Sequence, residues 1–434
     1  MMYPTAILAL GLFSSVAQAA VQGFNYGATT RTGADMFQTD FEAQFKAASE
    51  LANTNGAFSS ARLYTMIQSS TTDSPITAIP AAISTGTKLM LGMWATGGNI
   101  DNEIAALTAA IKTYGMKFTS LVHGISVGSE DLYRISPTGI MNDPNSVGAG
   151  PDVIVSYIAK TRAAIKGTSL EGVLVGHVDT WDAWQNSSNS AVATACDFVG
   201  MNTFPYFQAT EANGISNAQS LFQAALDVTT KAAGGKPVII TETGWPVEGK
   251  QSAAAVASTT NAKSYWDTVG CSLFGQTDVY WYTLVDANTD TATQPAFGIV
   301  GTTLSTKPLF DLTCPVVKST SSSASHSATS GSGSATSAVP TAFASTLSNG
   351  VVTTISTSVT PSASATTGGS DSSSPSTVLN IVNDTDGVVS TQTSTSSAPT
   401  SSSSSTDTSG ASTARFNILA AGIAAVAAAF VALA

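Results

Sequence analysis

The sequence predicts an α/β fold, a (β/α)8 TIM barrel followed by a disordered Ser/Thr-rich stalk. Strand-like and helix-like segments alternate after residue 20, the pattern of a parallel sheet joined by crossover helices. Residues 20–315 hold eight such strand segments, which suits the usual size of this barrel. Beyond residue 315 the chain is dominated by Ser and Thr and shows no sustained apolar periodicity.

The eight predicted strands are apolar runs at 22–26, 61–64, 88–94, 121–127, 172–179, 198–203, 237–241 and 278–284. Between the first two, Thr39-Asp-Phe-Glu42 matches a capping box at a helix start, and Gly56 is expected at that helix's end. Gly115 is expected to end a later helix. A doubly wound open sheet is the alternative fold, but no G-x-G-x-x-G follows the first strand, so no dinucleotide cofactor is indicated.

Both ends of the chain carry targeting patterns. Residues 1–19 are an apolar stretch ending in Ala17-Gln-Ala19, typical of a secretory signal peptide. Residues 316–409 are typical of an O-glycosylated stalk. Residues 410–434 match a GPI-anchor signal, with Ser409 or Gly410 as the attachment residue, and a tail anchor is the alternative. We therefore expect a secreted protein held at the plasma membrane through a GPI anchor.

The chain is acidic, with a formal net charge of −11 at pH 7. Such a surface does not attract phosphate backbones, so we expect no nucleic-acid partner. Asn186 and Asn383 each begin an N-glycosylation sequon.

Three cysteines leave one unpaired in an oxidising compartment. Cys196 opens an apolar strand and is expected to be a buried thiol. Cys271 and Cys314 then remain as a pair that would join the last long helix to the end of the folded domain. The sequence alone leaves the connectivity open.

Two of the apolar strands end on a glutamate, Glu130 and Glu242. Side chains alternate along a strand, so Ser126 and Glu130 are expected to share one face. Barrel active sites lie at the carboxyl ends of the strands, and the two carboxylates are therefore predicted to converge. A retaining glycosidase uses two carboxyl groups about 5 to 5.5 Å apart. The wider spacing of an inverting enzyme stays open at this point.

Two competing patterns carry less weight. Gly124-Ile-Ser126-Val-Gly128 matches G-x-S-x-G, but the strand continues past Ser126, and His177 lies inside another predicted strand. The loop that begins Asp286-Ala-Asn288 resembles the start of an EF-hand but lacks its glycine and closing glutamate. His123 and His177 are expected to be structural. We therefore predict no metal and no cofactor.

Five segments at the ends of successive predicted strands resemble glycoside hydrolase family 17, the fungal GPI-anchored glucan endo-1,3-beta-glucosidases. They are Gly23-Phe-Asn-Tyr-Gly27, Ala61-Arg-Leu-Tyr64, Ser126-Val-Gly-Ser-Glu130-Asp-Leu-Tyr-Arg134, Met201-Asn-Thr-Phe-Pro-Tyr-Phe207 and Thr241-Glu-Thr-Gly-Trp-Pro246. The resemblance covers residues 20–315. It implies that Glu130 is the proton donor and Glu242 the nucleophile of a retaining, double-displacement hydrolysis of internal β-1,3-glucosidic bonds.

The resemblance also implies a cell-wall location and β-1,3-glucan as the partner, and we expect a monomer. A β-1,3-glucanosyltransferase that remodels wall glucan and a non-catalytic glucan-binding wall mannoprotein are the alternatives. Many relatives place Asn before the acid/base, whereas this chain has Ser129, whose hydroxyl is expected to contact the substrate.

Further substrate contacts are expected at the strand ends. Aromatic rings there can stack on the C–H faces of sugars, with core packing as the alternative for each ring. In related barrels an arginine at the position of Arg62 supports the nucleophile, and such a cation would keep Glu242 ionised while Glu130 needs a raised pKa. The aromatic candidates are Tyr26, Tyr64, Tyr206, Trp245 and Trp281.

Overall fold

The computed structural model describes residues 20–98, 100–286 and 294–315 and contains a closed barrel of eight parallel strands in chain order. The ring closes where β1 pairs with β8. The (β/α)8 prediction is confirmed, and the open-sheet alternative is wrong. The strands are β1 Gln22–Tyr26, β2 Phe58–Leu63, β3 Lys88–Met93, β4 Val122–Ser129, β5 Leu174–Thr180, β6 Val199–Asn202, β7 Val238–Thr243 and β8 Val279–Trp281.

Helices follow or separate these strands throughout the described chain. They are α1 Gln38–Ser49, α2 Ala78–Thr85, α3 Ile100–Tyr114, α4 Met116–Thr119, α5 Asp131–Arg134, α6 Pro137–Asn142, α7 Pro151–Ile165, α8 Trp181–Gln185, α9 Ser190–Ala195, α10 Ala218–Ala233, α11 Thr259–Tyr265 and α12 Cys271–Leu273. Of the residues the structure describes, none belongs to a helix long and apolar enough to cross a bilayer.

The predicted helix-end signals are only partly right. The capping box is wrong, because α1 begins at Gln38 and the Asp40 carboxylate accepts the Phe37 amide at 2.9 Å. Gly56 does not end α1, which stops at Ser49; it lies in the loop before β2 with φ 75°. Gly115 follows α3 as expected, with φ 53°, and its amide donates to the Ile111 carbonyl at 2.9 Å.

The core has two parts. Most of it lies between the outer face of the barrel and the helices. A small cluster formed by Met90, Phe198, Ile239 and Tyr280 is separate from it. These residues lie at or near the amino-terminal halves of their strands, so they leave the carboxyl ends for polar side chains.

Cys271 and Cys314 form a disulfide, and Cys196 is a buried free thiol. This is the arrangement that the sequence analysis expects. Asn186 is exposed, and its side-chain oxygen accepts the Ser188 amide at 3.0 Å. Several predictions fall outside the described residues: the signal peptide 1–19, the stalk 316–409 with Asn383, and the anchor signal 410–434 with Ser409 and Gly410.

Candidate active site

Glu242 lies on β7 with its side chain fully buried. Its Oε1 atom accepts a hydrogen bond from Arg62 at 2.7 Å and another from the Tyr64 hydroxyl at 2.9 Å. Its Oε2 atom is buried without a hydrogen-bond partner in the described protein. The two donors stabilise the negative charge and orient the carboxylate, which leaves one oxygen available to a substrate.

Arg62 connects several strand ends. Besides Glu242, its guanidinium donates to Asn25 Oδ1 at 2.8 Å and to Ser129 Oγ at 2.9 Å. The planar guanidinium suits such fixed, divergent contacts better than an ammonium would. The Ser129 hydroxyl, expected to meet the substrate, therefore has a protein partner here, although it keeps a proton to donate.

Glu130 reaches the site from a turn and not from a strand. β4 ends at Ser129, and Glu130 adopts a left-handed conformation with φ 59° and ψ 25°. Its amide donates to the Val178 carbonyl at 2.9 Å, which fixes the turn on β5. The prediction that each glutamate ends its strand is wrong in detail, since Glu242 lies one residue before the end of β7.

Asn202 joins the two glutamates. It pairs with Glu242 in the β6–β7 register, and its Nδ2 atom donates to Glu130 Oε1 at 2.9 Å. The Thr241 hydroxyl donates to Asn202 Oδ1 at 2.7 Å, which turns the amide NH2 toward Glu130. The carboxylates of Glu130 and Glu242 therefore meet over one site, as the sequence predicts.

The two glutamates have opposite environments. Burial, and next to it the negative charge of Glu242, raise the pKa of Glu130 to about 8, against the opposing effects of Arg134 and Asn202. Glu130 is therefore protonated at neutral pH, while Glu242 has a guanidinium at 2.7 Å. Such a difference in environment is the one that a pair formed by a proton donor and an anionic carboxylate requires.

The predicted aromatic contacts divide between the site and the core. Tyr64 donates a hydrogen bond to Glu242, and Tyr26 and Asn25 line a cavity together with Tyr64. Tyr206 and Trp245 are buried against each other, with ring centroids 5.5 Å apart. Their polar hydrogens are donated to the backbone carbonyls of Lys250 and Val256, so neither ring has a donor left for a sugar.

Trp281 lies in the core, which contradicts its predicted substrate contact. Its ring is 2 % exposed and packs against the rings of Trp266 and Tyr265 at 4.9 and 5.8 Å. The next residue, Tyr282, lines the cavity together with Tyr64. Neighbouring residues at a strand end point to opposite sides, so the error is one residue. A cis peptide bond joins Tyr282 to Thr283.

Several site residues were missed by sequence reasoning. Asn25 and Asn202 are polar residues at strand ends and could have been found by that signal. Arg134 and the partly exposed Trp94 form a pair, with the guanidinium 5.0 Å from the ring centroid. Tyr282 is the fifth. No local pattern marks the contacts of these residues, because each is made with a distant part of the chain.

The competing chemistries find no support in the described residues. The ring nitrogens of His177 contact Val127 and Asp179, so no hydroxyl–imidazole pair forms at Ser126. Asp286 accepts the backbone amides of Phe297 and Gly298. Across residues 20–98, 100–286 and 294–315, no cluster of three or more His, Cys, Asp and Glu is placed to hold a metal ion.

Two carboxyl groups in different environments lie at the carboxyl-terminal face of this closed (β/α)8 barrel. This arrangement is typical of the glycosidases that have this fold. The comparisons agree with this class. The family model described as the BtgE/BtgC glycoside hydrolase domain matches residues 23–299, and the chain belongs to this family.

Its relatives carry glucanase names. The chain is 56 % identical over 310 residues to "Probable glucan endo-1,3-beta-glucosidase eglC" of Aspergillus fumigatus. The aligned region covers 71 % of this chain and 69 % of that protein. It is 31 % identical over 280 residues to "Glucan 1,3-beta-glucosidase" of Saccharomyces cerevisiae, with 62 % of this chain and 82 % of that protein covered.

Solved structures show the same fold. The glycoside hydrolase family 17 beta-1,3-glucanosyltransferase from Rhizomucor miehei is 25 % identical, with a TM-score of 0.54 over 66 % of this chain and 96 % of that chain. An endo-laminarinase from Formosa Hel1_33_131 is 15 % identical, with a TM-score of 0.53 over 65 % of this chain and 83 % of that one, and it supports the fold alone.

Proposed function

We propose that this protein hydrolyses internal β-1,3-glucosidic bonds of cell-wall glucan with retention of configuration, by double displacement. One observation carries the proposal. Glu242 has one oxygen held by Arg62 and Tyr64 and the other without a protein partner, while the neighbouring Glu130 has a raised pKa. The names of the relatives supply the substrate class.

In the first step Glu242 Oε2 attacks the anomeric carbon. The bond from that carbon to the glycosidic oxygen breaks, and the leaving oxygen takes the proton of Glu130. A covalent glucosyl ester on Glu242 remains. Arg62 and Tyr64 keep the carboxylate in one orientation, so the attacking oxygen is held in place before the substrate binds.

In the second step Glu130 is a carboxylate. It takes a proton from water as the water oxygen attacks the anomeric carbon, and the ester bond to Glu242 breaks. The Asn202 amide, which donates to Glu130 Oε1 at 2.9 Å, stabilises this charged form between the two steps. Two inversions at one carbon restore the β configuration.

Chain transfer is the second candidate outcome. A hydroxyl of another glucan can replace water in the second step, and Glu130 would deprotonate it in the same way. The similarity to a beta-1,3-glucanosyltransferase of known structure favours testing this outcome. We further propose that the protein acts as a monomer at the cell surface, secreted through residues 1–19 and attached to the membrane by a GPI anchor at Ser409 or Gly410.

The test is the product profile of the full-length protein, purified from a secreting host, on a reduced laminari-oligosaccharide. Glu130→Gln and Glu242→Gln serve as controls. Shorter products alone establish hydrolysis, and products longer than the substrate establish transfer. If the wild-type protein forms no product, the enzymatic proposal is wrong. Proton NMR of the first product distinguishes retention from inversion.

A further inference from the structure

We propose that His177 is a positioning residue for the acid/base: its ring donates from both nitrogens and thereby holds the β4 bulge and the turn that present Glu130 to the site. The inference rests on the proposed function, in which Glu130 is the acid/base. His177 is completely buried on β5. It does not touch the reacting groups, so its effect passes through the backbone on both sides of Glu130.

The first contact is with the segment before Glu130. Ser126 pairs with Gly176, and Ser129 pairs with Val178, so β4 advances three residues where β5 advances two. This is a β-bulge, which leaves part of the backbone without its regular ladder partner. At the bulge the Val127 carbonyl accepts a hydrogen bond from His177 Nδ1 at 2.6 Å.

The second contact is with the segment after Glu130. His177 Nε2 lies 2.9 Å from Asp179 Oδ2. The Asp179 carboxylate also accepts the amides of Leu132 at 2.9 Å and Tyr133 at 3.2 Å, in the short helix α5 that begins after Glu130. His177 and Asp179 therefore connect the backbone on both sides of Glu130.

The contacts define the charge of the ring. A carbonyl oxygen can only accept, so Nδ1 donates to Val127. Both oxygens of Asp179 accept backbone amides, from Leu132 at Oδ2 and from Tyr133 and Thr180 at Oδ1, which is the pattern of an ionised carboxylate. With Asp179 as an acceptor, Nε2 donates as well, and we infer that the ring is an imidazolium. This assignment follows from the hydrogen-bond partners and places a positive charge beside a carboxylate.

The surroundings support a charged ring. Burial disfavours the charge, but the hydrogen bond and negative charge of Asp179 and the charge of Asp131 outweigh it, and the pKa of His177 lies above its usual value. On the other side the ring meets the edge of Trp184 in α8, which is uncharged, with centroids 5.7 Å apart. The Cys196 thiol nearby stays neutral, because burial raises its pKa to about 12.

Gly128 shows how tightly this arrangement is packed. It has φ 83°, and an added Cβ would lie 2.4 Å from Asp131 Oδ2 and 2.9 Å from His177 Cε1. Asp131 itself accepts the Ser129 amide at 2.8 Å. The ring and the carboxylate thus fill the space inside the bulge, and only glycine fits opposite them.

The kinetic test compares two substrates whose need for the acid differs. A laminari-oligosaccharide has a poor leaving group that needs a proton from the acid. A dinitrophenyl β-laminaribioside releases dinitrophenolate, which leaves without protonation. A misplaced catalytic group costs about 100-fold. We expect His177→Gln to lower kcat/KM by about this factor on the oligosaccharide and far less on the aryl substrate. His123→Gln, which alters the pair with Asp278, is the matched control.

Asp179→Asn interrupts the link between His177 and the backbone of α5, and it is expected to lower kcat/KM on the oligosaccharide far more than on the aryl substrate. Thermal unfolding shows whether each variant is folded. Nitrogen NMR of the histidine-labelled full chain, assigned with His177→Gln, is expected to show both ring nitrogens protonated at pH 7. Equal losses on both substrates, unchanged kinetics or a neutral ring would overturn the inference. A wild-type protein inactive on both substrates would instead refute the proposed function.

Discussion

At the residue scale, the site depends on two glutamates that differ only in their surroundings. Glu130 is buried with an amide donor, and Glu242 is buried with a guanidinium and a phenol. In water the two side chains would titrate alike. The fold separates them, because burial and the charge of Glu242 raise the pKa of Glu130, whereas Glu242 accepts hydrogen bonds from Arg62 and Tyr64.

This separation predicts the pH dependence of activity. Glu130 must be protonated for the first step, and its pKa is about 8, so kcat/KM is expected to fall as the pH rises through that value. The measurement is a pH–rate profile on a laminari-oligosaccharide. Glu130→Gln should lose about 10²- to 10⁴-fold in rate and show no such alkaline fall. A profile that stays flat to pH 10 in the wild type would contradict the assignment.

Arg62→Lys tests whether the geometry or the charge of the cation beside Glu242 matters for activity. Lysine keeps the charge but lacks the planar fork that serves Glu242, Asn25 and Ser129 together. We expect about a 100-fold loss in kcat/KM. Arg162→Lys, in a partly exposed ion pair with Asp197, is the matched control and should leave the activity near wild type. Full activity of Arg62→Lys would show that charge alone suffices.

At the element scale, short segments that leave regular geometry present the catalytic groups. The β4 bulge and the left-handed residue Glu130 re-aim the chain between β4 and α5. A second such segment follows β2, and Glu103 of α3 accepts hydrogen bonds from it. Its carboxylate accepts the Thr65 hydroxyl at 2.5 Å and the Met66 amide at 2.7 Å, next to Tyr64.

Glu103 predicts a pH-dependent stability. Burial raises its folded-state pKa to about 7, above the unfolded value of 4.5. The folded state then holds a proton that the unfolded state releases, so this contribution to the free energy of unfolding is complete below pH 4.5 and is lost as the pH rises to about 7. The size of the effect is on the order of 3 kcal/mol.

The variant Glu103→Gln removes the titrating group, while its carbonyl oxygen can accept the Met66 amide and its NH2 group can donate to the Thr65 hydroxyl. The difference in urea-unfolding free energy between variant and wild type is therefore expected to increase between pH 5 and 7, in favour of glutamine. Glu50→Gln, at an exposed position after α1, is the control. A difference that does not change with pH would mean that Glu103 titrates alike in both states.

At the scale of the whole molecule, the barrel closes by pairing its first and last strands, and a disulfide then links Cys271 to Cys314. The bridge spans 43 residues that include β8. A cross-link over such a loop restricts the unfolded chain more than the folded one. The described domain therefore has its end tied to the helix region beside β8.

Replacing both cysteines with serine is expected to lower the free energy of unfolding by about 4 kcal/mol in the loop-entropy model. Urea unfolding of the purified protein measures this loss. Cys196→Ala removes a buried thiol that forms no bridge and should cost less, about 1 kcal/mol. Equal losses from the two changes would show that the bridge contributes no more than a buried thiol.

The sequence by itself determined the barrel and placed Glu130, Glu242 and Tyr64 at strand ends, because strand periodicity and strand-end position are local properties. The expectation for Arg62 came from the resemblance to related barrels. Strand-end position alone nevertheless does not give the direction of a side chain, and it placed Trp281 in the site, where Tyr282 lies. Alternation along β4 also fails at its end, because Glu130 follows a bulge and lies in a turn.

Only the tertiary structure decided which glutamate holds the proton and how each is positioned. The pKa of Glu130 depends on burial and on Glu242, which is 112 residues away in the chain, and on Arg134 and Asn202. The role inferred for His177 likewise depends on carbonyl and carboxylate partners that β4, β5 and α5 bring together. Such effects act through space over a few ångströms, and the order of residues along a chain does not record those distances.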